Sequence, residues 1–133
     1  MSENLDLVRS IFADWERGDF SRADWADPEI EFVMLDGPFP GKRRGLAGMT
    51  EGWREMLNAW KGYRVEAARY RTLDEERVLV LSHQTGHGKA SGFDLGQMQT
   101  ENATLFHVTD GKVTRLVIYW DGGRALADLG LEE

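Results

Sequence analysis

Apolar side chains recur every three or four positions in the first half of the chain and every second position in the second half, so a helical part precedes a strand-rich part. Leu5, Val8, Ile11, Phe12 and Trp15 form one helical stripe, and Gly18 stands where a left-handed C-terminal cap is wanted. The segment from Ser21 to Trp25 predicts a short second helix with Ser21 as N-cap, before Asp27-Pro28 forces the chain to extend. Ile30, Phe32 and Met34 then alternate with Glu31 and Val33 as in a strand, which stops at Asp36-Gly37-Pro38. Leu46, Met49, Trp53, Met56, Leu57 and Trp60 share one face of a long helix running to Gly62. In that helix Gly48 and Gly52, one turn apart, allow close backbone approach.

Past Gly62 the pattern predicts a strand over Tyr63 to Leu73, a turn at Asp74-Glu75-Glu76, and a strand over Val78 to His87. Glycines 86, 88, 92 and 96 mark a long loop or bulged ribbon. Met98 to Thr109 and Lys112 to Trp120 form a hairpin about Asp110-Gly111, and Arg124 to Leu129 a short terminal helix. Leu116 to Trp120 does not alternate: every position is apolar or aromatic until Asp121-Gly122-Gly123. A strand of that kind is covered on both faces. The expectation is one α+β domain over residues 1–133, with helices on one sheet face and a second copy of the chain on the other, a homodimer joined through the sheet.

Composition removes several function classes. No cysteine is present, so there is no disulfide, thiolate nucleophile or cysteine metal site. A net charge of -7 and a pI near 5.0 argue against nucleic acid, whose phosphates need a basic stripe. The one basic run, Lys42-Arg43-Arg44, reads as a solvated loop. No stretch approaches the ~20 apolar residues that span a bilayer, and no basic, apolar leader opens the chain, so a cytoplasmic protein is expected. Five Trp, six Phe and three Tyr suit either a bulky core or an apolar pocket.

The segments "IFADWERGDF" (11–20), "WADPEIEF" (25–32), "GLAGMTEGWREML" (45–57) and "LFHVTDGKVTRLVIYWDGGRALADLGL" (105–131), in this order and spacing, resemble the nuclear transport factor 2-like superfamily. Within it the chain is similar to the SnoaL-like group, which includes polyketide cyclases. The resemblance implies a cone: a curved, mostly antiparallel sheet wrapped around N-terminal helices, with an open mouth leading to an apolar cavity. Together with parity it places Leu116, Ile118 and Trp120 inward on the last strand, Asn102, Thr104, Phe106 and Val108 on its partner, and Val78, Val80, Ser82 and Gln84 on the strand before. Phe32, Met34, Trp15 and Trp53 complete the expected lining, with Trp15 and Trp53 open to a core reading as well, whereas Trp60 is assigned to the core.

Similarity to ketosteroid isomerases, distant members of that superfamily, places Asp36 where a carboxylate moves a proton alpha to a carbonyl. Burial would raise its pKa toward a useful range, while an Asp before Gly-Pro also simply caps a turn. The isomerases' oxyanion donors would fall near Ile11 and Thr104, neither of which can serve strongly, so steroid isomerisation is not expected. Gln84, Asn102 and the indole nitrogens of Trp53 and Trp120 remain as donors. Asp121 reads as a second acid or as the N-cap of the final helix. His83 and His87 lie roughly 13 Å apart on a strand, too far to share an ion, and with His107 they point away from the cavity. "GHGKASG" (86–92) has glycines but no following helix to receive a phosphate. Neither metal nor cofactor is expected. Three readings stay open: a cofactor-independent isomerase, cyclase, dehydratase or hydrolase of a small apolar carbonyl compound with Asp36 as general base; a binding module for a small hydrophobic molecule; and a structural or interaction domain whose cone is plugged by its own side chains.

Overall fold

A computed structural model describes residues 3–20, 23–35, 41–88 and 97–131, apart from the side chains of residues 56, 59–62, 86–88 and 97–100. The described elements are α1 (Glu3–Glu16), β1 (Ala26–Met34), β2 (Gly41–Arg44), α2 (Gly45–Ala59), β3 (Trp60–Thr72), β4 (Arg77–Gly88), β5 (Gln97–Thr109), β6 (Lys112–Tyr119) and α3 (Gly122–Asp128). The strands form one sheet in the order β2-β1-β6-β5-β4-β3. Every neighbour pair is antiparallel except β1 and β6, which run parallel with Phe32 beside Leu116 and Met34 beside Ile118.

The expected stripes set the layers. Val8, Ile11, Phe12 and Trp15 of α1 are buried, as are Met49 and Trp53 of α2, and both helices lie on the inner face of the sheet. That face carries Ile30, Phe32 and Met34, then Val78 and Val80, Phe106 and Val108, Leu116 and Ile118. Gly18 takes φ +84°, as a C-terminal cap requires, and the β5–β6 turn is built on Asp110 and Gly111 at φ 52° and 77°. Among the described glycines, Gly52 permits the closest approach. A Cβ there would lie 2.6 Å from Cε2 of Phe32, so α2 sits against β1 at a distance that excludes any side chain.

Several expectations change. Residues 24 and 25 form a turn that leads straight into β1, not the end of a second helix; residues 21–22 lie outside the described ones. Asp27 and Pro28 belong to β1 near its start, where a proline is tolerated. The basic run is an edge strand rather than a loop. Lys42 and Arg44 reach Glu31 at 3.6 and 3.7 Å, Arg115 reaches the same carboxylate at 3.0 Å, and Arg43 pairs with Glu51 and Glu55 of α2. These cations balance acids of their own chain. The long helix stops at Ala59, and the segment read as its last turn already belongs to β3.

The outer face answers the question posed by the unbroken apolar run in β6. Val117 and Tyr119 of β6 pack with Val33, Leu79, Ala103 and Leu105, and α3 lies over them with Ala125 at 0 % and Leu126 at 6 % exposure. The cover that was expected from a second copy comes from the chain's own C-terminal helix. Among the described residues, Leu46 on α2 is the one large hydrophobic side chain that is exposed, at 36 %. A partner copy is not required to bury this part of the sheet.

Candidate functional site

The inner face narrows between the C-terminal end of α1, the middle of α2 and the concave strands. Phe12, Trp15, Phe20, Met34, Trp53, Tyr63, Val65, Gln84, Asn102, Thr104, Ile118 and Trp120 surround this interior. One wall is aromatic. Trp15 lies 5.0 Å from Trp53 between ring centres, stacks on Phe106 at 5.7 Å and on Phe20 at 6.0 Å, and Phe20 lies 5.1 Å from Trp53 and 6.1 Å from Tyr63. The facing wall is polar, with Gln84, Asn102 and Thr104 all buried. The rings fill nearly all the space, and the cavity left is about 10 Å³, room for one water molecule.

Polar groups at this depth must be paired or they cost stability. Tyr63 Oη donates to Gln84 Oε1 at 2.8 Å, and Ser82 Oγ donates to Asn102 Oδ1 at 2.6 Å. Both amide oxygens therefore accept from within the protein. Burial pushes the Tyr63 phenol well above its ordinary pKa of 10.0, so it stays neutral. Trp53 is different. Its side chain is 6 % exposed and its indole Nε1–H is buried without a hydrogen-bond partner. An orphan donor of this kind costs roughly 1–3 kcal/mol. No Lys, Arg, Asp, Glu or His lines the interior among the described residues.

The structure brings together most residues singled out from the sequence: Trp15, Met34, Trp53, Gln84, Asn102, Thr104, Ile118 and Trp120 all line the interior. Phe32 does not. It is fully buried behind the lining, wedged between Gly52 and Trp53, whose ring centre is 5.5 Å from its own. Asp121 is exposed and caps α3: its carboxylate accepts from Gly123 N at 2.9 Å and Arg124 N at 3.4 Å, outside the chamber. Asp36 lies outside the described residues, as do the side chains of His87 and Trp60 and most of the glycine-rich segment after β4. Ile11 and Thr104, the positions of the isomerases' donors, are both buried, at 0 % and 3 % exposure.

His83 is exposed on the outer side, and among the described residues no three His, Asp or Glu side chains converge to hold a metal. His107 shares the outer face. Burial first, then Arg115 and Arg77, hold its pKa below the ordinary 6.5, against the pull of Asp74 and Glu76.

Phe12, Phe20, Tyr63 and Val65 line the interior without having been singled out. For Tyr63 and Val65 the signal was present, since alternation along β3 puts both on one face. It breaks further on. A register shift between Ala67 and Arg69 moves Tyr70, which strict alternation would turn outward, onto the inner face beside Phe12. Phe20 had no signal, because it follows α1 in irregular chain.

The architecture is that of known structures. It superposes on TerC, crystallised with polyporic acid, with a TM-score of 0.75 at 20% identity over 96% of this chain and 98% of that one. An NTF2-like protein of unknown function from Burkholderia pseudomallei gives 0.77 at 15% identity over 96% and 97%. A Catenulispora acidiphila protein with a ketosteroid isomerase-like fold, in complex with trimethylamine, gives 0.71 at 14% identity over 99% and 96%. At these identities the likeness establishes the fold. No helix among the described residues is long and apolar enough to cross a membrane. No curated protein sequence matches the chain closely. The family model of the SnoaL-like domain matches residues 8–116, most of the chain, and the protein belongs to the SnoaL-like domain family.

Proposed function

We propose that this protein binds a small, neutral, largely apolar molecule inside the cone and recognises a carbonyl or similar acceptor oxygen on it. The observation that carries this reading is the buried, unpartnered indole N–H of Trp53, set in a chamber with an aromatic wall on one side and amides on the other. A core position with no ligand to serve is filled more favourably by Phe or Leu, which bring no donor to desolvate. Among the described residues the lining offers no charged side chain to pair with an ionic ligand, and the aromatic wall favours a flat one. Small ligands bound by proteins of this fold, polyporic acid by TerC and trimethylamine by the Catenulispora protein, support small-molecule binding as such. Asp36, two residues beyond Met34 in the sequence, is the carboxylate we assign as base if the bound carbonyl compound is also transformed.

The test is a matched pair of probes, 2-acetonaphthone and 2-ethylnaphthalene, titrated against indole fluorescence. The ketone is expected to bind about fivefold more tightly than the hydrocarbon, the value of one hydrogen bond to a buried donor, and Trp53→Phe is expected to erase the difference. Equal affinity for both in the wild type removes the acceptor-recognition reading. In D2O the same ketone reports chemistry. Exchange of its methyl protons that is lost in Asp36→Asn identifies an enzyme, and binding without exchange identifies a binding module. The near-filled interior favours a second reading, a cone plugged by Trp15, Phe20, Trp53 and Tyr63 that serves structure or interaction; it predicts that neither probe binds.

A further inference from the structure

The 10 Å³ interior cannot take a naphthyl-sized molecule until side chains move, so the site needs a way in. A second cavity lies directly outside it. This open cleft of about 360 Å³ runs between the end of α1 and the outer side of α2, and Thr50, Arg54, Leu57 and Asn58 form part of its wall. Phe20 and Trp53 belong to the linings of both cavities. The partition between interior and cleft is thus made of these two rings, packed 5.1 Å apart.

The two halves of the partition are held differently. Trp53 stands in the middle of a 15-residue helix, backed by Phe32, and is 6 % exposed. Phe20 is half-buried and belongs to no helix or strand. The hydrogen bonds that close α1 run from Gly18 N to Trp15 O at 2.9 Å and from Asp19 N to Asp14 O at 2.9 Å, and Phe20 comes after them. Gly18, at φ +84°, sets the direction in which the chain leaves the helix. A ring on irregular chain changes rotamer in far less time than a helix shifts.

Resting on the proposed binding function, the geometry points to Phe20 as the door of the chamber and to the α1–α2 cleft as its entrance. When the Phe20 ring swings outward, interior and cleft become one continuous space, which opens on the face of Trp53. The entering molecule meets apolar and aromatic surface first and the Trp53 N–H and the amides last. The door is a positioning and access element with no part in chemistry.

Stopped-flow mixing with 2-acetonaphthone tests this. Phe20→Ala is expected to raise the association and dissociation rates together by about tenfold while the dissociation constant changes much less. Leu46→Ala, on α2 but in the lining of neither cavity, leaves the association rate unchanged. Because the chain has no cysteine, Thr50→Cys can be labelled alone with a bulky maleimide, and the label is expected to slow association by about tenfold. Unchanged rates in both Phe20→Ala and the labelled Thr50→Cys protein place the entrance elsewhere and overturn the proposal. A wild type that fails to bind the ketone refutes the binding function, and the door is then judged on its own by acrylamide quenching of the indoles. Phe20→Ala is expected to raise the quenching constant about twofold, and an unchanged constant overturns the door independently.

Discussion

Gly52→Val is expected to lower the stability of the fold by about 3 kcal/mol, and Gly52→Ala by about 1 kcal/mol, in urea unfolding monitored by circular dichroism. For alanine two effects oppose each other. Removing a mid-helix glycine favours the helix by about 1 kcal/mol. Against this, the new Cβ falls 2.6 Å from Cε2 and 3.0 Å from Cδ2 of Phe32, a ring with no exposed surface and therefore nowhere to retreat. Overpacking of this sort costs about 1–3 kcal/mol, so steric strain wins. Valine adds two more methyl groups and a β-branch inside a helix, with no compensating gain. The displaced Phe32 ring presses on Trp53, so weaker binding of the ketone probe is expected alongside the lost stability. In the Gly52→Ala background, Phe32→Leu is expected to cost less than it does alone, because the smaller side chain relieves the clash. Additive costs in that double mutant would show that helix and strand do not meet at Gly52 as described.

Leu126→Asp is expected to cost about 3 kcal/mol and to lower the melting temperature by roughly 10 °C. Leu126 is 6 % exposed and packs, with Ala125, on the outer sheet face of Val33, Leu79, Leu105 and Val117. An unpaired carboxylate cannot stay there, so α3 undocks. The penalty is then bounded by the apolar burial that α3 contributes. Undocking uncovers the unbroken apolar run of β6, and sedimentation is expected to show self-association of the variant that grows with concentration. Leu46→Asp is the control: that side chain is 36 % exposed, and its replacement is expected to change stability by no more than about 0.5 kcal/mol. A Leu126→Asp protein as stable as the wild type would mean that α3 does not cover the sheet.

These two sites also show what the sequence could and could not reveal. The inner face was legible, because β4, β5 and β6 keep period two without interruption where they border the site, so counting, together with the inward faces that the family resemblance implies, placed Gln84, Asn102, Thr104 and Ile118 together. Helical spacing put Trp15 and Trp53 on the buried stripes of their helices, and the resemblance pointed them to the cavity. Counting fails where the backbone departs from regularity, as at the β3 bulge that turns Tyr70 inward and at Phe20 beyond the end of α1. The apolar run of β6 revealed that both faces were covered, but a seven-residue helix with two buried apolar side chains carries too weak a pattern to be recognised as the cover. Nor does a basic triplet reveal its partners, which lie 11 to 13 residues away at Glu31 and 8 and 12 away at Glu51 and Glu55. The orphan N–H of Trp53 is invisible in a sequence altogether, since it depends on what the fold fails to place beside one nitrogen.

That nitrogen offers the most direct measurement. The Trp53 Hε1 resonance, assigned by its loss in Trp53→Phe, should be followed by proton–nitrogen correlation spectroscopy as 2-acetonaphthone is added. A saturable downfield shift, as the indole hydrogen finds an oxygen, is expected, with 2-ethylnaphthalene producing no such shift. An indole resonance that stays in place up to the solubility limit of the ketone would contradict a ligand site at the centre of this cone.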